Sequence, residues 1–469
     1  MSERKRMIGI VLAAVALITI MALPAPEGLP QAGMRCLALF TSVFILYLFE
    51  SVSAAIVSLL IVPLLVILRI TNIKEALSGF SSTSTYLIIG SFILAEAVIQ
   101  SKLGTRITYL ILLKLGTSVR RISFGMMLVT IVLAFMIPSS TARTAMMLPI
   151  CINIIRRFPA TEGKSRLGTN IIMTLGVTTS TISAGILTST ISNPMAVDYI
   201  FSQTGRMVSY TNWLLWGFPP ALLMTVVAWL LIQLLFPPEH KYMEGGREFI
   251  REELDKMGPV SRDEKVSLAV FALTVLLWVL GEKLGLDSTA ACLLGACILC
   301  LPRIGVLKWE TCKDSISLSV VFICSGGISL GAAMSSTGAA GWIAEHTFAA
   351  LHLSSLPVWA LIICIIVVVQ FMHVMFVGTA TMANVFFPVL VGIASVSSIP
   401  VEQVILPAAM MIGGYPVLTF FNTTPSILCY DTGYVTARDF PKLGLIISVI
   451  ACAVYALCVL WYWPLTGLM

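Results

Sequence analysis

The sequence predicts an all-α polytopic membrane protein, with about 11 transmembrane helices and two re-entrant hairpins in two inverted repeats. Three observations predict it. Of the 469 residues, 58% are hydrophobic and only 11% are charged, at a mean hydropathy of +0.97, whereas a soluble domain carries about 25% charged residues. Apolar runs long enough to cross a bilayer recur along the whole chain. Two further apolar segments are too long for one crossing and carry flanking charge that does not alternate in side.

Arg4, Lys5 and Arg6 precede the first run, Met7 to Leu23, which ends in PAPEGLP. No small-residue cleavage site follows, so residues 1–32 read as an uncleaved leading helix. Spanning runs follow near 34–50, 53–70, 82–100, 168–200, 211–236, 266–281, 288–302, 315–333, 402–430 and 443–465. With the N-terminus inside, 23 Lys and Arg fall on cytoplasmic segments, and only Arg35, Arg69, Lys74, Arg206 and Lys283 fall outside. That asymmetry sets the orientation and places the C-terminus externally. Arg143 alone lies inside a hydrophobic segment.

The first long segment, 122–155, contains PSSTARTAMMLPI from Pro138 to Ile150. Lys102, Arg106, Lys114, Arg120 and Arg121 flank it on one side, and Arg156, Arg157, Lys164 and Arg166 on the other. A single helix of that length would measure ~51 Å, too long for a core of ~30 Å. A hairpin entering from the cytoplasm and turning at Pro138, Ser139, Ser140 and Thr141 fits both constraints. The second segment, 357–398, lies in a stretch between Lys313 and Arg438 that contains no other Lys or Arg, as expected of a hairpin entering from outside. Its FVGTATMANVFFPV aligns without a gap to SSTARTAMMLP, with Gly378, Thr379 and Ala380 under Ser139, Ser140 and Thr141. The repeats are therefore 33–236 and 266–469, joined by a cytoplasmic linker, 237–265, in which REFIREELDKMG forms an amphipathic helix.

Each repeat holds a second interruption. TTSTISAGILTSTISNPMA lies in 168–200 and IGGYPVLTFFNTTPSILCY in 402–430. Proline removes a backbone donor, so Ser192-Asn193-Pro194 and Thr423-Thr424-Pro425 are expected to unwind their helices. Half-helix ends offer amides to an anion and carbonyls to a cation. Two tips and two breaks thus converge on one polar chamber, the architecture of a secondary transporter.

These stretches resemble the divalent anion:sodium symporter family over nearly the whole chain. The resemblance is carried by GFSSTSTYLIIGSFILAEAV, SSTARTAMMLPI, ELDKMGPVSRDEKV (Glu253 to Val266) and NTTPSILCYDTGYVTARDF. It implies an elevator-type homodimer in the plasma (inner) membrane, with a fixed scaffold, a mobile transport unit and connecting arms at 101–121 and 334–352. The substrate would be a small divalent anion, a di- or tricarboxylate such as succinate, malate, oxoglutarate or citrate, or sulfate. Against the family's Ser-Asn-Thr tips, Ser139 and Thr141 match while Ser140 takes the asparagine position, and the second tip reads Gly378-Thr379-Ala380. Thr423, Thr424 and Pro425 match the family's TPPN in part, with Ser426 at the asparagine. Ser192-Asn193-Pro194, the TAR of Thr141 to Arg143 and the HxxFxx from His373 are closer to the citrate and oxoglutarate/malate exchangers. The implied substrate contacts are Ser139, Ser140, Thr141, Arg143, Gly378, Thr379, Thr423, Thr424 and Pro425. The implied sodium ligands are Ser139, Ser140, Asn193, Gly378 and Thr379, with the better site at the first tip. Sodium-coupled symport is expected, with sodium-independent exchange as the alternative, and no other cofactor and no metal site.

Blander readings stand beside these. Ser139, Ser140 and Thr141 can be hairpin caps. Arg143 can attract the anion, snorkel to the cytoplasmic side, or pair with Glu50. His373 can contact the ligand or take part in proton coupling, or be a hydrogen-bonded core histidine. Cys297 and Cys300 form a CxxC with no second pair, which suits packing rather than redox or metal chemistry. The net charge of +6 reports topology, not nucleic-acid binding. An intramembrane enzyme is disfavoured: HExxH and GxSxG are missing, and His240, His346 and His352 fall in surface segments. Paired hairpins disfavour a channel.

Overall fold

The computed structural model describes residues 3–116, 118–158, 160–242, 245–351 and 356–469; His352 lies outside them. Among the described residues the chain is helical and has no sheet. A leading helix α1 (Glu3–Ala22) packs on α2 (Gln31–Leu48) and leaves most of its apolar surface bare, the surface a bilayer covers. The first half continues with α3 (Ala54–Ile67), a short α4 (Ile73–Ala76), α5 (Thr83–Gln100), α6 (Leu103–Leu115), α7 (Val119–Met136), α8 (Ser140–Ile155), α9 (Arg166–Ser183), α10 (Ser192–Thr204) and α11 (Tyr210–Leu235). The linker helix α12 (Gly246–Lys256) appears where REFIREELDKMG is expected. The second half runs α13 (Arg262–Leu284), α14 (Ser288–Cys300), a short α15 (Trp309–Cys312), α16 (Leu318–Ser336), α17 (Ala339–Leu351), α18 (Val358–Met372), α19 (Thr379–Ser397), α20 (Val401–Gly414), α21 (Thr424–Asp431), α22 (Asp439–Leu457) and a terminal α23 (Trp463–Thr466).

The helix starts follow from the sequence. The side chains of Ser82, Ser139, Ser165, Ser209 and Ser317 each accept a backbone N–H of the first turn they precede, engaging donors that helices leave open at their N-termini. At α13 the cap is reciprocal: Ser261 accepts from the Glu264 amide and Glu264 accepts from the Ser261 amide. Ten helices among the described residues are long and apolar enough to cross a membrane, and three of them, α7, α18 and α19, come from the two segments read as hairpins. The runs at 53–70 and 288–302 instead give helices of 14 and 13 residues, ~20 Å each.

The order of elements recurs. Two helices, a short turn of helix, a long helix, a 13-residue helix, a helix pair, an interrupted helix and a final long helix appear once from α2 to α11 and again from α13 to α22. Packing between the halves is reciprocal: α5 lies on α14 as α16 lies on α3, and α10 lies on α20 as α21 lies on α9. Such exchange of partners is what a two-fold relation between like units produces. Pro149 and Pro388, aligned in sequence, sit inside the corresponding helices α8 and α19.

The structure moves three features by a few residues. The non-helical part of the first tip is 137–139, and Ser140 and Thr141 already belong to the first turn of α8. The helix breaks are 184–191 and 415–423, upstream of the motifs expected to unwind. Ser192, Asn193 and Pro194 open α10, Thr423 is the cap of α21, and Thr424 and Pro425 open it. A first-turn N–H has no intrahelical acceptor to lose, so proline there marks a helix start rather than a gap.

Candidate functional site

The first break frees the carbonyls at the C-terminal end of α9, which need donors once no further turn follows. Side chains supply them. Asn193 donates from Nδ2 to the carbonyls of Ser183 (2.9 Å) and Ile186 (3.0 Å). Trp213 donates from Nε1 to the Ala184 carbonyl at 3.1 Å. Arg143, at 0% exposure, donates to the carbonyls of Ile137 (2.5 Å), Thr179 (3.3 Å) and Ser189 (3.4 Å) and to Ser183 Oγ (2.5 Å). A guanidinium thus sits on three carbonyls and a hydroxyl from the tip, α9 and the break. Two expectations for Arg143 are corrected: it neither snorkels nor pairs with Glu50. Glu50 instead lines a separate cavity with Arg6.

The second half closes its break differently. Gln370 donates to the Tyr415 carbonyl at 2.9 Å, and His373, 2% exposed, places Nδ1 2.9 Å from the Gln370 carbonyl and Nε2 3.2 Å from the Ile412 carbonyl. The histidine is hydrogen-bonded in the core, one of the two readings its sequence allows. Asn422 joins tip to break: Nδ2 donates to the carbonyls of His373 (2.5 Å) and Phe376 (3.2 Å), Oδ1 accepts from the Thr419 amide (2.8 Å), and its own carbonyl accepts from the Gly378 amide (3.1 Å). Gly378 has φ +100, a backbone that L side chains rarely adopt. Gly413, at the end of α20, approaches the first break so closely that a Cβ there would lie 2.6 Å from Ser192 Oγ and 3.0 Å from Asn193 Oδ1. The end of α20, just before the second break, therefore meets the start of α10, just after the first.

Among the sequence-identified residues the structure separates two sets. Ser139 caps α8 through the Ala142 amide (3.2 Å), and Arg143 and Asn193 hold the break. By contrast the hydroxyls of Ser140, Thr141, Thr379, Thr423 and Thr424 have no hydrogen-bond partner within the described residues. Ser140, Thr141, Thr379 and Gly378 are half-buried, Thr423 and Pro425 are buried and Thr424 is exposed. Helix α8, which carries Thr141, packs on α21, which opens at Thr424. Pro138 and Ser139 line a cavity of about 20 Å³ with Ser91, Phe92, Thr188 and Thr190, room for about one water. Beside the second tip, Val377 and Thr381 line a larger cavity of about 420 Å³ with Arg6, Tyr47, Glu50 and Ser51.

The sequence reading missed Asn422, Ser183 and Gln370. The asparagine was legible as the residue before Thr423-Thr424-Pro425, a counterpart of Asn193 before Pro194. Ser183 lies among the other hydroxyl residues of TTSTISAG with nothing to single it out, and Gln370 lies in an apolar helical run.

The profile of the family described as the sodium:sulfate symporter transmembrane region matches residues 4–469. The chain belongs to this family. It is a member of the divalent anion:sodium symporters, a membrane transporter and not an enzyme. A citrate/succinate antiporter of Escherichia coli is 24% identical over 456 residues, covering 91% of this chain and 92% of that protein. The sodium-dependent dicarboxylate transporter SdcS of Staphylococcus saprophyticus is 25% identical over 482 residues, covering 98% of this chain and 92% of that protein. Among solved structures, MtrF of Neisseria gonorrhoeae superposes at a TM-score of 0.56 with 13% identity, over 98% of this chain and 94% of that one. That likeness concerns the fold.

Proposed function

We propose that this symporter-family chain carries small di- or tricarboxylate anions such as succinate, malate or citrate, binding them between the two tips and the second break. The observation that carries the reading is the set of uncommitted hydroxyls. Neighbouring Ser139, Arg143, Asn193 and Asn422 are engaged by the protein, while Ser140, Thr141, Thr379, Thr423 and Thr424 are free to donate to a carboxylate. A desolvated dianion needs several such donors. The relatives named as citrate/succinate and dicarboxylate carriers support the substrate class. The recurring element order and reciprocal packing support two inverted repeats, with α7–α8 and α18–α19 as re-entrant hairpins that move with the broken helices against the remaining scaffold. The N-terminus is then cytoplasmic.

For coupling, the family supports sodium symport. A second reading, sodium-independent exchange, is favoured by Arg143: the carbonyls of the first tip and break, which the sodium reading needs as ligands, already hold a guanidinium. The test is uptake by purified protein in liposomes, scanning succinate, malate, oxoglutarate, citrate and sulfate with and without sodium. Saturable carboxylate uptake with counterflow is expected; ohmic conductance, or sulfate uptake without carboxylate uptake, overturns the proposal. A steep sodium dependence supports symport, and sodium-independent counterflow supports exchange.

A further inference from the structure

Outside the candidate site, helix α10 carries one carboxyl with no cation beside it. Asp198 is 5% exposed, and it lies against the start of α5. Thr83 donates its hydroxyl to Oδ1 at 3.1 Å, while Oδ2 is buried without a hydrogen-bond partner. The Ser82 and Ser84 hydroxyls and the Ser84 amide also stand next to the carboxyl as donors, and both hydroxyls have other partners as well. Ser84 donates to the Pro194 carbonyl at 2.6 Å, an oxygen that can only accept. Ser82 donates to Thr85 Oγ1 at 3.0 Å, and Thr85 passes its own proton to the Gly79 carbonyl at 2.9 Å. No ion pair reaches Asp198 among the described residues. A buried carboxylate with no cation beside it and one oxygen unpartnered is a costly arrangement. The same carboxyl with a proton on Oδ2 carries no charge to desolvate.

The groups facing this carboxyl leave the proton as the simplest completion. Helix α10 packs on α5, α16, α19 and α20. From α16 the titratable neighbour is the Cys324 thiol, and Tyr199, next along α10, stands near Cys324 and near Tyr47 of α2. Helix α19 has no titratable residue, α20 has Glu402 in its first turn, and α5 has Tyr86 and Glu96. None of these is a cation.

We propose that Asp198 carries a proton in this state and forms a proton-sensitive latch between α10 and the start of α5. The inference rests on the reading in which α10 moves with the broken helices against α5. When α10 shifts, the carboxyl leaves the Ser82, Thr83 and Ser84 hydroxyls, its O–H bond breaks, the proton passes to water and the carboxylate is hydrated. Return of α10 requires the proton back.

Two measurements on the full-length protein in liposomes test this. The first is the infrared carbonyl stretch of a protonated carboxyl at neutral pH, expected in the wild type, lost in Asp198→Asn, and retained but shifted in Thr83→Val. The second is the ratio of wild-type to Asp198→Asn initial exchange rate across pH, which cancels protonation of the substrate itself. That ratio is expected to change severalfold over the range in which the wild-type band disappears. An unchanged band in Asp198→Asn, a pH-independent ratio, or a folded Asp198→Asn protein without flux at any pH overturns the proposal. The last outcome would mean that an ionised carboxylate held by the Ser84 amide and the neighbouring hydroxyls is what the carrier needs. Should Asp198→Asn not fold, the wild-type band and its shift in Thr83→Val decide alone. Absence of flux in the wild type refutes the carrier reading instead, and leaves the infrared result to decide the protonation.

Discussion

The two tip-and-break pairs share a backbone plan and close it with different chemistry. In the first half a charged side chain from the returning helix, Arg143 on α8, reaches across to the carbonyls of Thr179 and Ser189. In the second half neutral and ring donors act from the incoming helix, Gln370 and His373 on α18 and beyond its end, and Asn422 reaches back from the break. Position 382, the counterpart of Arg143 in the gap-free alignment, is a buried methionine. The two halves therefore place freed carbonyls at corresponding points in the element order but satisfy them differently. The half with the charge is the one whose oxygens would otherwise suit a cation.

The sharpest way to break this comparison is Arg143→Ala. It removes the guanidinium donor from three buried carbonyls and the Ser183 hydroxyl, a loss of about 3–5 kcal/mol as several buried acceptors lose a partner. Low yield and a large fall in Tm are expected, with Arg143→Lys intermediate because an ammonium cannot reach all four oxygens. If the oxygens accept another cation, sodium but not choline should raise the Tm of Arg143→Ala by mass action. A variant as stable as wild type would show that the charge does not hold the first half together.

Asn422→Ala comes next. It removes the donors to the His373 and Phe376 carbonyls and the acceptor for the Thr419 amide, for about 2–3 kcal/mol. The Tm should fall less than in Arg143→Ala, and the reverse order would contradict the contrast drawn between the halves. Gly378→Ala probes the second tip alone. The nearest atom to an added Cβ is Thr381 Oγ1 at 3.7 Å, so space is available and only the φ of +100 is strained, for about 1–2 kcal/mol.

The smallest effect on stability is expected from Thr141→Ala and Thr423→Ala, whose hydroxyls have no protein partner. Each should leave the Tm unchanged and raise the KM for dicarboxylate uptake about tenfold, the equivalent of one hydrogen bond of about 1.4 kcal/mol. A drop in Tm with unchanged KM would place these hydroxyls in the scaffold rather than at the substrate.

Hydropathy and composition alone determined that the chain is helical and membrane-spanning, because a bilayer forces helices of fixed length and apolar surface. Proline, serine and asparagine at Pro138 to Thr141, Ser192 to Pro194 and Thr423 to Pro425 located the interruptions to within about a turn, through local rules of capping and missing donors. They marked where the next helix begins, and the gap before it carried no marker of its own. Only the tertiary structure decided which side chains meet the freed carbonyls. Arg143 and Ser183 are 40 residues apart, Asn422 and His373 are 49 apart, and Asp198 meets Thr83 across 115. Hydrogen bonds between elements depend on how helices pack in three dimensions, and one sequence read along its length records neither the partner nor the distance.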